Sequence, residues 1–481
     1  MKNLLLKNGS IVNEGEVFKG SIVIAGEYIS QIIRLSDFKS VKEYGSFLKK
    51  VESQMESLDL TGLHIFPGVI DSHVHFREPG DGWKGNIESE SRAAVLGGVT
   101  SFMDMPNNTP PATTRSLLED KFASAEQSSY ANYSFYLGAS NSNIAEIRNI
   151  KRRDVCGVKL FMGSSTGNLL VDNSKAIEDI FRFCPTLIAV HCEDNQTIAS
   201  NLKKAQDKYG KDIPAAVHPD IRSREACIKS SAKAVELALK YHSRLHILHV
   251  TTREEVETLS ALKRPAAWKA SDKAREALVT AETCPTYLWF CREDYSKYGN
   301  LIKCNPAIKD RSDMFALRQA LKDGAIQTIG SDHAPHLLSE KLRPYAECPS
   351  GIPLMPYSLQ IMLTLAKRGE FSLSEIADKM SHSPARCFAV EKRGFIREGY
   401  FADFAVVDME KPSASASHPA AMCRWSPFSE KGITYHNPDG TDEDLELFPV
   451  SVVHTFVSGC QVVENGTLTG NTNSRPLTFN R

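Results

Sequence analysis

Two histidines one residue apart, an arginine two residues later and a Pro-Gly turn fill ten residues at 71–80, DSHVHFREPG, directly behind the apolar run HIFPGVI. In a β-strand, residues two apart project to the same side, so His73 and His75 would aim both imidazoles one way and let one strand supply two metal ligands. HxH alone says little. Other apolar runs also end in ligand-type residues: Lys159 in GVKLFM, His191 in AVHCED, His249 in LHILHV and Asp332 in GSDHAPH. Imidazole nitrogens and carboxylate oxygens suit zinc at roughly 2.0–2.2 Å, and one such ion needs only three protein ligands and a water. Four histidines, an aspartate and a lysine exceed that set and point to two ions about 3.5–4 Å apart, bridged by hydroxide.

Lys159 is the odd member, since an ammonium cannot ligate a metal. Burial and nearby cations can depress a lysine pKa, and reaction of the neutral amine with CO₂ then gives a carbamate, which is a bridging carboxylate. An isolated lysine at a strand end would ordinarily only snorkel to water; this one falls in step with the other ligands. His246 shares a run with His249 but lies on a different strand face, and His249, the last residue before VTT, is the better placed. His333 is expected to support Asp332 or to pack locally. His64, His218, His242, His382, His418, His436 and His454 read as exposed or internally satisfied.

Eight short apolar runs must position these groups: HIFPGVIDSHVHF, VTSFMDMP, YSFYLGAS, GVKLFM, TLIAVHCE, RLHILHV, VTAETCPTYL and IQTIGSD, with helical segments such as 231–241 in the gaps. Strands and helices alternating over about 300 residues predict an α/β fold, a (β/α)8 TIM barrel with its chemistry at the C-terminal strand ends. An open doubly wound sheet ranks second, because no GxGxxG follows the first strand. Residues 4–33, 401–409 and 451–466 alternate β-type runs with glycine turns. The two chain ends, 1–62 and 393–481, are therefore expected to form one small β-sandwich domain around a barrel at 63–392. Residues 36–59 read as a charged, partly helical insertion, and 260–281 as surface helix and loop.

Bulk composition narrows the partners. The 57 basic and 58 acidic residues give a formal net charge of -1, so there is no electrostatic reason to expect nucleic acid or a membrane surface. Neither a signal-peptide run nor an apolar stretch of spanning length is present, which makes a cytoplasmic protein with a small-molecule partner the expectation. Eleven cysteines without CxxC pairs read as reduced and mostly buried, and none is expected to make a thiolate zinc site.

HVHFREPG, GGVTSFMDMPNNTPP, GVKLFMGSS, AVHCED, LHILHV, KCNPAIK and GSDHAPH together, in this order, resemble the dihydroorotases of the amidohydrolase superfamily from about residue 4 to the C-terminal strands. The resemblance implies a two-zinc hydrolase that interconverts L-dihydroorotate and N-carbamoyl-L-aspartate, the third step of de novo pyrimidine synthesis. It implies that His73, His75 and Asp332 hold one Zn²⁺, that His191 and His249 hold the other, and that carboxylated Lys159 and a hydroxide bridge both. It places Arg77 and Asn107 on the substrate carboxylate, Asn305 and His336 at further substrate contacts, and the Gly351 backbone against the ring. Residues 163–168, GSSTGN, correspond to a mobile loop; a phosphate loop is rejected because no GK[ST] follows. A homodimer is what the family leads one to expect.

The residues reach similar chemistry unaided. Opening a cyclic amide needs a nucleophile, a polarised carbonyl and a proton for the departing nitrogen. Metal-bound water meets the first two needs, and Asp332 can move the proton as general acid and base. A guanidinium two residues past the second ligand can grip a carboxylate bidentately, which explains Arg77. Glu78 is assigned no chemistry. Two rivals remain: a sister cyclic amidase (hydantoinase, dihydropyrimidinase or allantoinase), against which Arg77 and Asn107 argue, and a non-catalytic scaffold, against which the full ligand set argues.

Overall fold

The run that carries His73 and His75 breaks at Pro67-Gly68, and the break sends its halves into different sheets. The computed structural model describes residues 3–163, 169–262, 278–413, 421–429, 432–446 and 448–481. In it His64–Pro67 pairs antiparallel with Phe404–Asp408, while Val69–Val74 (β1) opens the barrel. Reading the run as one strand therefore joined two elements. Gly68 makes the crossing: a Cβ there would lie 2.1 Å from Thr100 Oγ1, a separation no side chain can accept.

After β1 come Val99–Asp104 (β2), Asn132–Gly138 (β3), Gly157–Phe161 (β4), Ile188–His191 (β5), Leu245–Ile247 (β6), Val279–Thr283 (β7) and Thr328–Ile329 (β8). Each pairs with the next in parallel. The ring closes through a parallel bridge between Val74 and His333, with His75 N–H donated to the His333 carbonyl at 2.7 Å. All eight runs singled out in the sequence supply a barrel strand. They were legible because parallel strands covered on both faces are apolar throughout, and every residue of β1 to β8 is buried.

Alternation along the strands divides the core. Val69, Phe102, Phe135, Val158 and Ile188 belong to the large cluster shared with the helices. Their neighbours Ile70, Met103, Tyr136 and Ala189 join a second cluster with Phe388 of the helix Ser383–Phe388. Residues adjacent in a strand face opposite sides, so the second cluster fills the interior and leaves the C-terminal ends to polar groups. Local signals start the surrounding helices; Thr252 and Glu255, for example, form a reciprocal cap on Arg253–Ala261.

The chain ends build one sheet with the order Thr467–Leu468, Cys460–Glu464, Ser451–Val457, Phe404–Asp408, His64–Pro67, Leu4–Asn13, Glu16–Ala25 and Tyr28–Arg34. Glu56–Asp59 adds beside Leu4–Asn13. One face, with Leu6, Ile22, Ile24 and Phe404, forms its own core; the other, with Leu5, Val23 and Ile33, is covered by Tyr44 and Leu48 of the helix Val41–Glu52. The insertion at 36–59 thus closes the sheet. Most of the 260–281 segment, residues 263–277, lies outside the described residues. Among the described residues no helix is long and apolar enough to cross a membrane. All eleven cysteines are free, nine of them buried.

Candidate metal centre and active site

Asp332 and His249 lie just past their strands, with φ of +50° and +39°. Left-handed backbone costs a non-glycine residue about 1–3 kcal/mol and persists where the surroundings enforce it. Here it turns both side chains over the barrel mouth. Asp332 Oδ1 lies 3.1 Å from His73 Nε2 and 3.1 Å from His75 Nε2, and the two ring nitrogens are 3.2 Å apart. Three donors set tetrahedrally around one ion at 2.0–2.2 Å are separated by about 3.3–3.6 Å, a little wider than this triangle. His191 Nδ1 and His249 Nε2 form a second convergent pair at 2.9 Å, and the His73 and His249 rings, 5.3 Å between centroids, join the two groups.

Lys159 is fully buried on β4, and its Nζ has no hydrogen-bond partner. An orphaned cationic amine in such a place is costly. Burial lowers its pKa to about 7 against the opposing pull of Asp332 and Glu282, which yields the neutral amine that carbamate formation needs. Donor set, spacing and orphaned amine all fit a metal centre.

Three of the four remaining ring nitrogens are held from behind. His73 Nδ1 meets Glu282 Oε1 at 2.8 Å, His75 Nδ1 meets Asn107 Oδ1 at 2.7 Å, and His191 Nε2 meets Glu193 Oε2 at 2.9 Å. Such partners fix which nitrogen keeps its lone pair for a metal. Burial would raise the Glu282 carboxyl, but His73 and His246 overturn this and hold it well below the usual range. Glu282 also accepts from Ser72 Oγ at 2.7 Å. Burial would raise Glu193 too, but Arg222, which forms an ion pair with it, His191 and Lys309 together hold it low. Neither glutamate was among the sequence candidates, although each carried a signal: Glu282 is a charge inside the apolar run VTAET, and Glu193 lies two residues beyond His191. Glu282→Gln should weaken metal binding about 10–100-fold, the usual effect of losing such a partner, as read by chelator competition; unchanged affinity would remove Glu282 from the support of His73.

Arg77 sits at the rim. Its Nε donates to the Pro335 carbonyl at 3.2 Å, and its Nη2 lies 3.1 Å from His336 Nε2. Burial and the neighbouring Arg77 hold His336 well below the usual histidine range, so the ring is neutral. Asn305 Oδ1 is buried without a partner. Gly351 has φ +145°, and a Cβ on it would lie 2.7 Å from the Ala334 carbonyl; its N–H is donated to Lys303 O at 3.0 Å. Asn107, expected on substrate, spends its oxygen on His75. Of the loop 163–168, Ser164 to Asn168 lie outside the described residues.

The other assignments sort by contact. His246 lies below the centre, 2.8 Å from Thr280 Oγ1. His333 packs locally, binding Glu90 at 2.9 Å and accepting from Leu354 N at 3.0 Å. Glu78 accepts from Ile87 N at 2.9 Å and from Ser124 Oγ.

The amidohydrolase family model matches residues 64–462. The chain belongs to the amidohydrolase family. A dihydroorotase of Methanosarcina mazei is 31% identical over 454 residues, spanning 92% of this chain and 93% of that protein. An allantoinase of Deinococcus radiodurans is also 31% identical, over 442 residues, 88% of this chain and 90% of that one. Among solved structures, L-hydantoinase from Arthrobacter aurescens superposes with a TM-score of 0.83 at 24% identity, over 99% of this chain and all of that one; at that identity the likeness speaks for the fold. This amidohydrolase is thus a hydrolase of small molecules, with a side-chain cluster at its barrel mouth able to hold metal.

Proposed function

We propose that this amidohydrolase is a dihydroorotase, opening the cyclic amide of L-dihydroorotate to N-carbamoyl-L-aspartate and closing it again. The observation that carries the substrate is Arg77, a guanidinium set beside neutral His336 at the rim, two residues beyond the His73/His75 pair. A ring with a carboxylate gives that charge a partner, whereas hydantoin and allantoin rings do not. In this reading His73, His75 and Asp332 hold one zinc ion, His191 and His249 the other, and carboxylated Lys159 both. Bound there, the ions would lower the pKa of water from 15.7 to about 7 and polarise the ring carbonyl.

The chain's own groups do the rest. Arg77 clamps the substrate carboxylate with Asn107, whose oxygen also orients His75. Asn305 and His336 line the same rim, and Gly351 lets the loop pass close to the ring because it has no side chain. Asp332 takes the proton of the attacking water at a carboxylate oxygen and returns it to the departing amide nitrogen. We place the protein in the cytoplasm, as a homodimer, in pyrimidine synthesis.

The test is ring opening of L-dihydroorotate, dihydrouracil, hydantoin and allantoin, side by side, by zinc-replete protein. Turnover of dihydroorotate alone supports the reading; turnover of only an uncharged ring keeps the centre and overturns the substrate. Arg77→Ala should raise KM for dihydroorotate about 10–100-fold, the loss of a charged hydrogen bond worth roughly 1.5–3 kcal/mol. An unchanged KM would mean that the carboxylate is held elsewhere.

A further inference from the structure

A second convergence of ligand-type atoms uses none of the barrel-mouth residues. Cys291 opens the short turn Arg292–Asp294 behind the helix Pro285–Trp289, and His436 ends the first strand of the hairpin Ile433–His436/Asp442–Leu445. Cys291 Sγ lies 3.4 Å from His436 Nε2 and 3.5 Å from Asp294 Oδ2, and those two atoms are 2.8 Å apart. All three residues are buried.

We propose that Cys291, Asp294 and His436 form a structural site for a zinc-like divalent cation, which pins the hairpin to the barrel. Zinc at about 2.3 Å from sulfur and 2.0–2.1 Å from nitrogen and oxygen, tetrahedrally disposed, separates sulfur from either lighter donor by about 3.5 Å and the lighter donors by about 3.3 Å. The observed triangle is that face with one edge drawn in. His436 Nδ1 is held by Asp442 Oδ1 at 2.9 Å, the carboxylate–histidine support typical of metal-ligating imidazoles. Arg311 pairs with Asp442 and also lies against the Cys291 thiol, where its charge favours the thiolate.

A hydrogen-bonded staple is the competing account of these groups. It needs His436 between Asp294 and Asp442 and the Cys291 N–H on Asp294 Oδ2 at 2.8 Å, and it leaves the Cys291 thiol little to do, because a thiol is a weak donor. A cation uses all three atoms. Its charge is balanced by one thiolate and one carboxylate, the thiol proton and the proton between His436 and Asp294 being released on binding. The fourth position falls to water or to Glu293, whose carboxylate lies close enough to bear on the Cys291 thiol. Spacing rules had passed over Cys291 because its partners are Asp294 and a histidine 145 residues away.

Cobalt separates this site from the barrel mouth. The mouth offers nitrogen and oxygen donors, so only a cysteine-ligated Co²⁺ gives a thiolate charge-transfer band in the near ultraviolet. Metal-free full-length protein titrated with Co²⁺ should develop that band. Cys291→Ser should lose it, bind one cobalt fewer per chain and keep ring-opening activity. His436→Gln, which retains the thiol, should need at least about tenfold more cobalt for the band. A wild-type titration without the band overturns the site even if neither variant folds, as does a band that survives Cys291→Ser or is unmoved by His436→Gln.

Discussion

Lys159→Ala is expected to strip the barrel mouth of metal and lower activity by at least about 10³-fold, with partial recovery when short carboxylic acids are added. The expectation rests on burial. Lys159 Nζ is enclosed, with no hydrogen-bond partner and only the Phe161 ring beneath it at 4.5 Å, so it is a poor structural residue and a good precursor of a bridging carboxylate; an added acid can occupy the space that alanine leaves. Retention of full metal content by the variant would show that Lys159 is no bridge. A stability measurement checks the same claim without catalysis. In metal-free, CO₂-depleted buffer, Lys159→Met should match or exceed the wild type at pH 7, because it replaces an unpaired buried amine with an apolar chain. The sign with pH follows from the lowered pKa, about 7 when folded against about 10.4 for an exposed lysine. Between those values the unfolded chain binds the extra proton, so wild-type stability rises with pH relative to Lys159→Met, by an amount on the order of a few kcal/mol. Urea unfolding of both proteins at pH 7 and 10 reads this directly; parallel curves would mean that the amine is solvated.

The barrel was legible because burial on both faces writes a strand as an unbroken apolar run, and the candidate ligands stood out because five of those runs carry, at or near their ends, a residue that does not belong in a core. Helix and strand periods gave no help with the split of HIFPGVIDSHVHF, where the deciding fact is the approach of Thr100 to Gly68, a contact between residues 32 apart. The backing carboxylates were harder still. Glu282 reaches His73 across the barrel, 209 residues away, and its sequence neighbours show only a charge where none should be. Asn107 shows the limit of assigning one role per residue: a carboxamide has two ends, and the structure engages its oxygen with His75, which the motif MPNNTP could not reveal. Asn108 beside it points instead into scaffolding, donating to the Phe76 carbonyl at 2.8 Å and accepting from Lys121 at 2.6 Å.

Asp332→Ala should abolish turnover, with kcat lowered about 10⁴-fold or more, while dihydroorotate binding remains measurable. Two losses combine. General acid–base catalysis by a positioned group contributes typically 10²–10⁴-fold, and Asp332 is also the only carboxylate in the triangle with His73 and His75. The Arg77–His336 rim is untouched, because Arg77 is anchored by Pro335 and His336 rather than by Asp332; binding and chemistry should therefore separate. Asp332→Asn sharpens the distinction, since it retains an oxygen donor but cannot accept and return a proton at neutral pH. If proton transfer dominates, Asp332→Asn should be nearly as slow as Asp332→Ala while retaining more metal. If metal holding dominates, its rate should recover in step with metal content as zinc is raised. A wild-type rate in either variant would remove Asp332 from the mechanism and leave the proton to another group at the barrel mouth.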